Sequence, residues 1–284
     1  MNLSVVIVTC NEEANLGRTL ESVKPLVTDG KGEIIIVDSG STDRTVEIAV
    51  SFGAKVFVEE WKGYAAQKNS AIDKATGEWI LSLDADEEVD SELIEKLTGR
   101  SDDGGLPRGG SREWCLTMGH GGSATREIIK GSPVGFLFRR KNYFLGRWIR
   151  HGGFWPDPKL RLFRREKGRF EDRAVHEDIR VDGPMRTIHN GALVHHSYPT
   201  LSDYIEHMNR YSSLGAEMVV AKGAVRFSVI NIGLRPLSTF VYNYIFRLGF
   251  LDGREGLLLH LYHAVYVSWK YAKAWELSRN KLSS

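Results

Sequence analysis

Ile80-Leu-Ser-Leu-Asp84-Ala-Asp86-Glu87 is the stretch whose reading decides the fold. An apolar run of the kind that forms a buried strand ends in two carboxylates one residue apart. In open α/β sheets, ligands bind in the crevice beyond the carboxyl ends of the strands. Carboxylates placed there can hold a hard divalent cation and share it with phosphates. A plainer role is also open to them. Glu87, Glu88 and Asp90 continue the acidic run towards a helix beginning near Ser91, and a helix N-terminus favours negative charge.

Working outward, apolar runs at Leu3–Val8, Glu33–Val37, Lys55–Val58 and Trp79–Leu83 read as strands. Between and after them, Asn15–Leu26, Thr42–Phe52, Tyr64–Ala75 and Ser91–Leu97 read as helices. Short apolar strands separated by helices imply parallel pairing with both faces of the sheet covered. Ser41-Thr42-Asp43 is placed to open the second helix, and Gly53 and Gly77 to stop helices. Residues 101–132 break the pattern with Gly104-Gly105, Gly109-Gly110 and Gly121-Gly122, and read as a loop or insertion. Strand-like aromatic and basic runs follow from Pro133 to Phe170, then helical patterns over Tyr204–Lys222 and most of Phe227–Leu277.

The 284 residues, 42% hydrophobic, suffice for a full core. The net charge of +2 hides an asymmetry. Residues 1–100 carry ten Lys and Arg against nineteen Asp and Glu, whereas 101–170 carry fifteen against six. The acidic first third argues against nucleic acid there and suits a site that recruits cations, while the basic middle suits phosphates, carboxylates or an anionic membrane. Cys10 and Cys115 lie in unrelated contexts, so a disulfide is not expected and a reducing compartment is. Met1-Asn-Leu-Ser enters the first strand with no basic n-region, so no signal peptide is expected.

Five segments support one another. Thr9-Cys-Asn11-Glu12-Glu13 ends the first strand and Asp38-Ser-Gly-Ser-Thr-Asp43 the second. The third helix carries Gln67-Lys68-Asn69, the fourth strand ends in Asp84-Ala-Asp86, and Val175-His-Glu177-Asp178 lies downstream. In a doubly wound sheet the first, second and fourth strands end on one crevice. Asp38 can accept from a uracil imide or a ribose hydroxyl, while Thr9, Asn11 and Glu12 line the base pocket. Lys68 can offset phosphate charge, and Asp86 can hold a metal on a diphosphate. Each residue alone also has a structural explanation, as a cap, a solvated lysine or a strand-end threonine.

Val5-Val-Ile-Val-Thr-Cys-Asn-Glu-Glu13, Val37-Asp-Ser-Gly-Ser-Thr-Asp43 and Leu83-Asp-Ala-Asp86 resemble family 2 glycosyltransferases of the GT-A fold. Gly146-Arg-Trp-Ile-Arg-His-Gly-Gly153, Arg161-Leu-Phe-Arg164, Val175-His-Glu177 and Leu248-Gly-Phe-Leu-Asp-Gly253 resemble the bacterial branch of lipopolysaccharide-core β-glucosyltransferases. The resemblance implies an α/β, Rossmann-like and mainly parallel sheet with helices on both faces, and a C-terminal helical extension at the membrane interface. It divides the chain into a nucleotide-sugar-binding half at 1–100, the Gly-rich loop at 101–132, an acceptor-side half at 133–200 and a helical region at 201–284.

The implied reaction is an inverting displacement. An acceptor hydroxyl replaces the nucleoside diphosphate, most simply UDP, with Mg2+ or Mn2+ held through Asp86. Asp84 then touches ribose or base, or supports the metal through water, and a cation relieves the repulsion between the two carboxylates. Glu177 is the expected base, with Asp178 as its alternative. His195 or His196 is a further metal ligand, a phosphate contact or a core histidine. The expected partners are a nucleotide-sugar donor, a lipid-linked saccharide acceptor and a membrane surface, with a homo-oligomer as an option and no nucleic acid.

Phe227–Trp275 is aromatic and leucine-rich but interrupted by Arg235, Arg247, Arg254 and Lys270, with no apolar run near the ~20 residues that cross a bilayer. A peripheral position on the cytoplasmic leaflet is therefore expected. Transfer to a polyprenyl phosphate, a nucleotidyltransferase, and a non-catalytic nucleotide-binding module are the competing readings. The second lacks the Gly-rich N-terminal phosphate loop it would require.

Overall fold

A computed structural model describes residues 2–30, 32–99, 133–171, 178–223 and 225–282. The expected Gly-rich loop at 101–132, Cys115 and Glu177 lie outside the described residues. The chain divides into two compact units, one built from residues up to 140 with 158–171 and 178–195, the other from 141–157 and 196 onward.

In the first unit, β1 (Leu3–Thr9), β2 (Gly32–Asp38), β3 (Lys55–Val58) and β4 (Trp79–Asp84) pair in parallel in the order β3-β2-β1-β4. The helices α1 (Leu16–Val27), α2 (Thr45–Ser51) and α3 (Tyr64–Lys74) connect them. Beyond β4 the sheet turns antiparallel, through β8 (Lys159–Arg164), β6 (Gly135–Phe144), β11 (Met185–Tyr198) and the short β5 (Glu87–Val89). The expected doubly wound half is present, and the mixed far side is the fold's addition to it.

Packing follows from composition. β1, β2 and β4 are nearly continuous Val, Ile and Leu, as strands covered on both faces must be. Two apolar layers result, one around Leu3, Ile7, Leu20, Ile36 and Leu81, the other around Val6, Ile35, Ile72 and Ile80. Each such side chain contributes roughly 1.5–3 kcal/mol on burial. α1 buries Leu16, Leu20, Val23 and Leu26, spaced by three or four residues on one helix face.

The register fixes where chemistry can occur. Thr9 lies opposite Asp38, and Val8 lies opposite both Val37 and Asp84, so Thr9, Asp38 and Asp84 close the same edge of three adjacent strands.

Local punctuation differs in part from expectation. Gly53 stands just beyond α2 at φ +75°, where a side chain would be strained. Gly77, expected to stop a helix, instead lies two residues past the Ala75 cap of α3. A Cβ there would fall 2.7 Å from the Ser4 nitrogen, so this glycine permits close approach to β1. The acidic run after Asp86 forms β5 rather than a helix N-terminus. Only Asp90 caps α4 (Ser91–Thr98), accepting from the Leu93 N–H at 3.0 Å.

The second unit contains the end of β6 paired with β7 (Arg147–Trp148), and packs the helix Leu201–Ala221 against Gly253–Leu282. Thr200 and Asp203 form a reciprocal capping box at the first of these helices. Phe144, Ile149, Tyr204 and Leu259 make its core. Two of the four downstream motifs of the sequence, Gly146–Gly153 and Leu248–Gly253, meet here. Asp252 is buried and accepts from the N–H of His151 at 2.8 Å and of Arg150 at 3.2 Å, and lies 2.9 Å from His151 Nδ1. Gly152 donates to the Arg247 carbonyl at 2.9 Å.

Candidate active site at the carboxyl edge of the first unit

The end of β4 is an ion network. Asp84 receives Lys68 Nζ on Oδ1 at 2.7 Å, and the Arg161 guanidinium on Oδ2. The same Arg161 nitrogen donates to Glu87 Oε1 at 2.7 Å, where Arg140 also arrives at 3.2 Å. Glu87 is fully buried, and its other oxygen accepts from the Asp84 N–H at 3.2 Å. Burial works against a charged Asp84, yet Arg161 and Lys68 outweigh it and hold the carboxyl well below the usual range. Burial likewise opposes charge on Arg161, and Asp84 and Glu87 reverse the balance.

The repulsion expected between Asp84 and Asp86 is therefore met by the protein's own cations. A carboxylate offers about four acceptor positions. Asp84 has two filled by these cations and keeps 32% of its side chain exposed, leaving room for a ligand.

Asp86 has a different partner. His195, on β11 and opposite Glu87 across the β5 pairing, places Nε2 3.1 Å from Asp86 Oδ2. Burial raises the Asp86 carboxyl and His195 more than offsets it, so the net shift is downward. Nearby Glu12 is shifted upward, first by burial and then by Asp86, Asp43 and Asp84, with the Asn15 amide opposing. A carboxyl disfavoured as an anion beside an Asp–His pair is an arrangement that a divalent cation relieves. Among the described residues no group of three His, Cys, Asp or Glu converges as a metal site. Two protein ligands nevertheless suit an ion that completes its shell with water and substrate phosphate. Asp86 and His195 are the residues that would hold such an ion.

The remaining expected residues organise the loop edge. Asp38 is fully buried and accepts four hydrogen bonds, from Thr9 Oγ1 at 2.8 Å, Gly40 N at 2.9 Å, and Ser41 N and Oγ at 2.7 and 2.5 Å. Contact from Asp38 to a base or ribose requires one of these bonds to break. Asn11, at φ +55°, donates its N–H to Ser41 Oγ and accepts from the Thr42 N–H, both at 2.8 Å. Glu12 donates its N–H to Thr45 Oγ1 at 2.7 Å, and Asp43 caps the Thr45 N–H at 3.0 Å. The loops after β1 and β2 are thus one interlocked surface.

Lys68 is nearly buried, and its ammonium also lies 5.2 Å from the Phe170 ring centre. Asp178 is exposed at the start of β10 (Asp178–Val181), which pairs with β9 (Gly168–Glu171), while Glu177 lies outside the described residues. His196 belongs to the second unit, where its ring lies 5.4 Å from that of Tyr143. Arg161, Arg140 and Glu87 were not assigned from sequence as site residues. The signal for Arg161 is an arginine set between Leu160 and Leu162, inside the apolar stretch of its strand.

The chain is 30% identical over 283 residues to the lipopolysaccharide core biosynthesis glycosyltransferase LpsC of Rhizobium meliloti, covering 96% of this chain and 92% of that one. It is 28% identical to an uncharacterized glycosyltransferase of Rickettsia typhi, covering 99% and 90%. Among solved structures, glucosyl-3-phosphoglycerate synthase from Mycobacterium tuberculosis, crystallised with Mn2+, UDP and glucosyl-3-phosphoglycerate, is 27% identical over 34% of this chain and 37% of that one, with a TM-score of 0.30. The family model described as glycosyl transferase family 2 matches residues 4–167, the span that contains β2 to β4, all of β1 but Leu3, and Asp84, Asp86 and Arg161. With that match over more than half its length, the chain belongs to glycosyl transferase family 2.

Proposed function

We propose that this transferase moves a hexosyl group from a UDP-sugar to a hydroxyl of a lipid-linked saccharide such as a lipopolysaccharide core, inverting the anomeric centre in one displacement. The observation that carries the reading is the shared strand edge of Thr9, Asp38 and Asp84, with Asp86 and His195 beside it. Similarity to LpsC over nearly the whole chain supports the acceptor class.

In this reading Asp84, kept ionised by Arg161 and Lys68, accepts from the nucleoside with its remaining lone pairs. Asp38 holds the 39–42 loop rigid, so that its backbone presents one fixed surface to the base. Asp86 and His195 would hold a divalent ion, which when bound supplies charge neutralisation at the departing diphosphate. A carboxylate–imidazole pair suits Mn2+ better than Mg2+, which favours oxygen donors. Glu177 takes the acceptor proton, with Asp178 as its alternative.

The test is transfer to a lipid-linked core acceptor from a panel of nucleotide sugars, with the product's anomeric coupling read by NMR. Inverted product from one UDP-sugar supports the reading, whereas retained configuration or no transfer contradicts it. Glu177→Gln should lower kcat by about 10²–10⁴-fold if it is the base. A small effect there with a large one in Asp178→Asn reassigns the base. Small effects in both favour an acceptor that is already an anion, such as a polyprenyl phosphate.

A further inference from the structure

The second unit carries a helix whose outer side has the wrong polarity for water. Residues 230–246 form one continuous helical segment, with wider π turns at Ile230–Leu234 and Val241–Phe246 around an α-helical Arg235–Phe240. Its inner side packs on the Gly253–Leu282 helix, where Ser268 Oγ donates to the Ile232 carbonyl at 2.8 Å and Pro236 is buried. A surface helix packed this way normally turns polar residues outward.

Here Ile230, Leu234, Leu237, Val241 and Ile245, spaced by three or four residues, form an exposed stripe. It continues into Phe246, which is 73% exposed, and then Phe250 and Leu251. Apolar exposure this contiguous marks a surface that is covered in use.

Charge identifies the cover. Between Glu217 and Asp252 there is no acidic residue, whereas Lys222, Arg226, Arg235 and Arg247 are all present and exposed. Asp252 itself is buried against His151. An apolar stripe whose own segment carries cations and no acid complements an anionic bilayer, with the side chains in the acyl boundary and arginines among the headgroups. A second copy of the chain would instead set these cations against one another. No helix among the described residues is long and apolar enough to cross a membrane.

We infer that the 230–251 surface docks the protein on anionic lipid, with the Leu234, Leu237 and Ile245 stripe inserted below the headgroups. The inference stands apart from the sugar chemistry, because it uses no residue of the candidate active site.

The test is cosedimentation of the full chain with phosphatidylglycerol–phosphatidylethanolamine vesicles and with pure phosphatidylcholine vesicles. The double variant Leu237→Ser/Ile245→Ser should bind the anionic vesicles at least about tenfold more weakly, with unchanged circular dichroism and unchanged UDP binding. As a second probe, Phe246→Trp should show a blue-shifted emission when anionic vesicles are added. Equal binding by the double variant, equal binding to phosphatidylcholine, or an unshifted Trp emission would overturn the inference. So would a lipid-free dimer that the double variant splits. Asp86→Ala should bind vesicles like wild type, so failure of the catalytic reading and failure of this one are separable.

Discussion

Arg161 joins Asp84 to Glu87 through a single guanidinium nitrogen, which donates to a carboxylate on each side of the Ala85-Asp86 turn. Arg161 comes from β8 and the two acids from β4 and β5, so the bond ties the antiparallel half of the sheet to the strand edge where Asp86 sits. The ion pair is buried on both sides of the Glu87 contact. Its main consequence is positional, since it fixes the turn that carries Asp86.

Arg161→Met should therefore destabilise the protein by about 3–5 kcal/mol, because it leaves Glu87 buried with a much-reduced cationic environment. Urea unfolding followed by circular dichroism measures this. Arg161→Lys should recover only part, since lysine keeps the charge but ends one bond short of the terminal guanidinium nitrogen that bridges the two carboxylates. A loss under about 1 kcal/mol for Arg161→Met would contradict the network.

Asp38 gives a second test, because its four bonds come from two backbone N–H groups and two hydroxyls. Asp38→Ala abandons all four and should cost at least about 3 kcal/mol. Asp38→Asn should be much milder. Its carbonyl can still receive Gly40 and Ser41 N–H, and the Thr9 and Ser41 hydroxyls can turn to accept from its amide. If Asn proves as damaging as Ala in thermal unfolding, the charge matters beyond the loop geometry.

His260 predicts a pH dependence in the second unit. Burial and then His263 push its pKa down to about 4 against the ordinary 6.5, with Asp252 opposing, and neither ring nitrogen has a hydrogen-bond partner among the described residues. The folded state thus holds the ring neutral while the unfolded chain takes up a proton below 6.5. Stability should fall as pH drops from about 6.5 towards 4. His260→Gln should flatten that window in urea titrations at stepped pH. An unchanged slope would assign the acid sensitivity to other groups.

Much of this was legible in the chain itself, and for a physical reason. β1 to β4 announce themselves because strands buried on both faces must be continuous Val, Ile and Leu, and parallel strands must be separated by crossovers. That topology alone puts Thr9, Asp38 and Asp84 on one edge.

Glu87 was harder to read, because an acid in an acidic run looks like a helix cap until its cations are known. Arg161 and Arg140 lie 74 and 53 residues from it in sequence, on β8 and β6, and contacts at that separation leave no local spacing signal. The stripe from Ile230 to Ile245 was visible as composition. Its outward direction is set by the Gly253–Leu282 helix, which occupies the other side.

The most direct measurement is calorimetric titration of UDP into wild type and Asp86→Ala, each with Mn2+ and with chelator. Mn2+ should tighten UDP binding to wild type by about tenfold or more, and Asp86→Ala should lose this gain while keeping its metal-free affinity. Equal affinity with and without Mn2+ in wild type, or an undiminished Mn2+ effect in Asp86→Ala, would contradict the place given to Asp86 at the diphosphate.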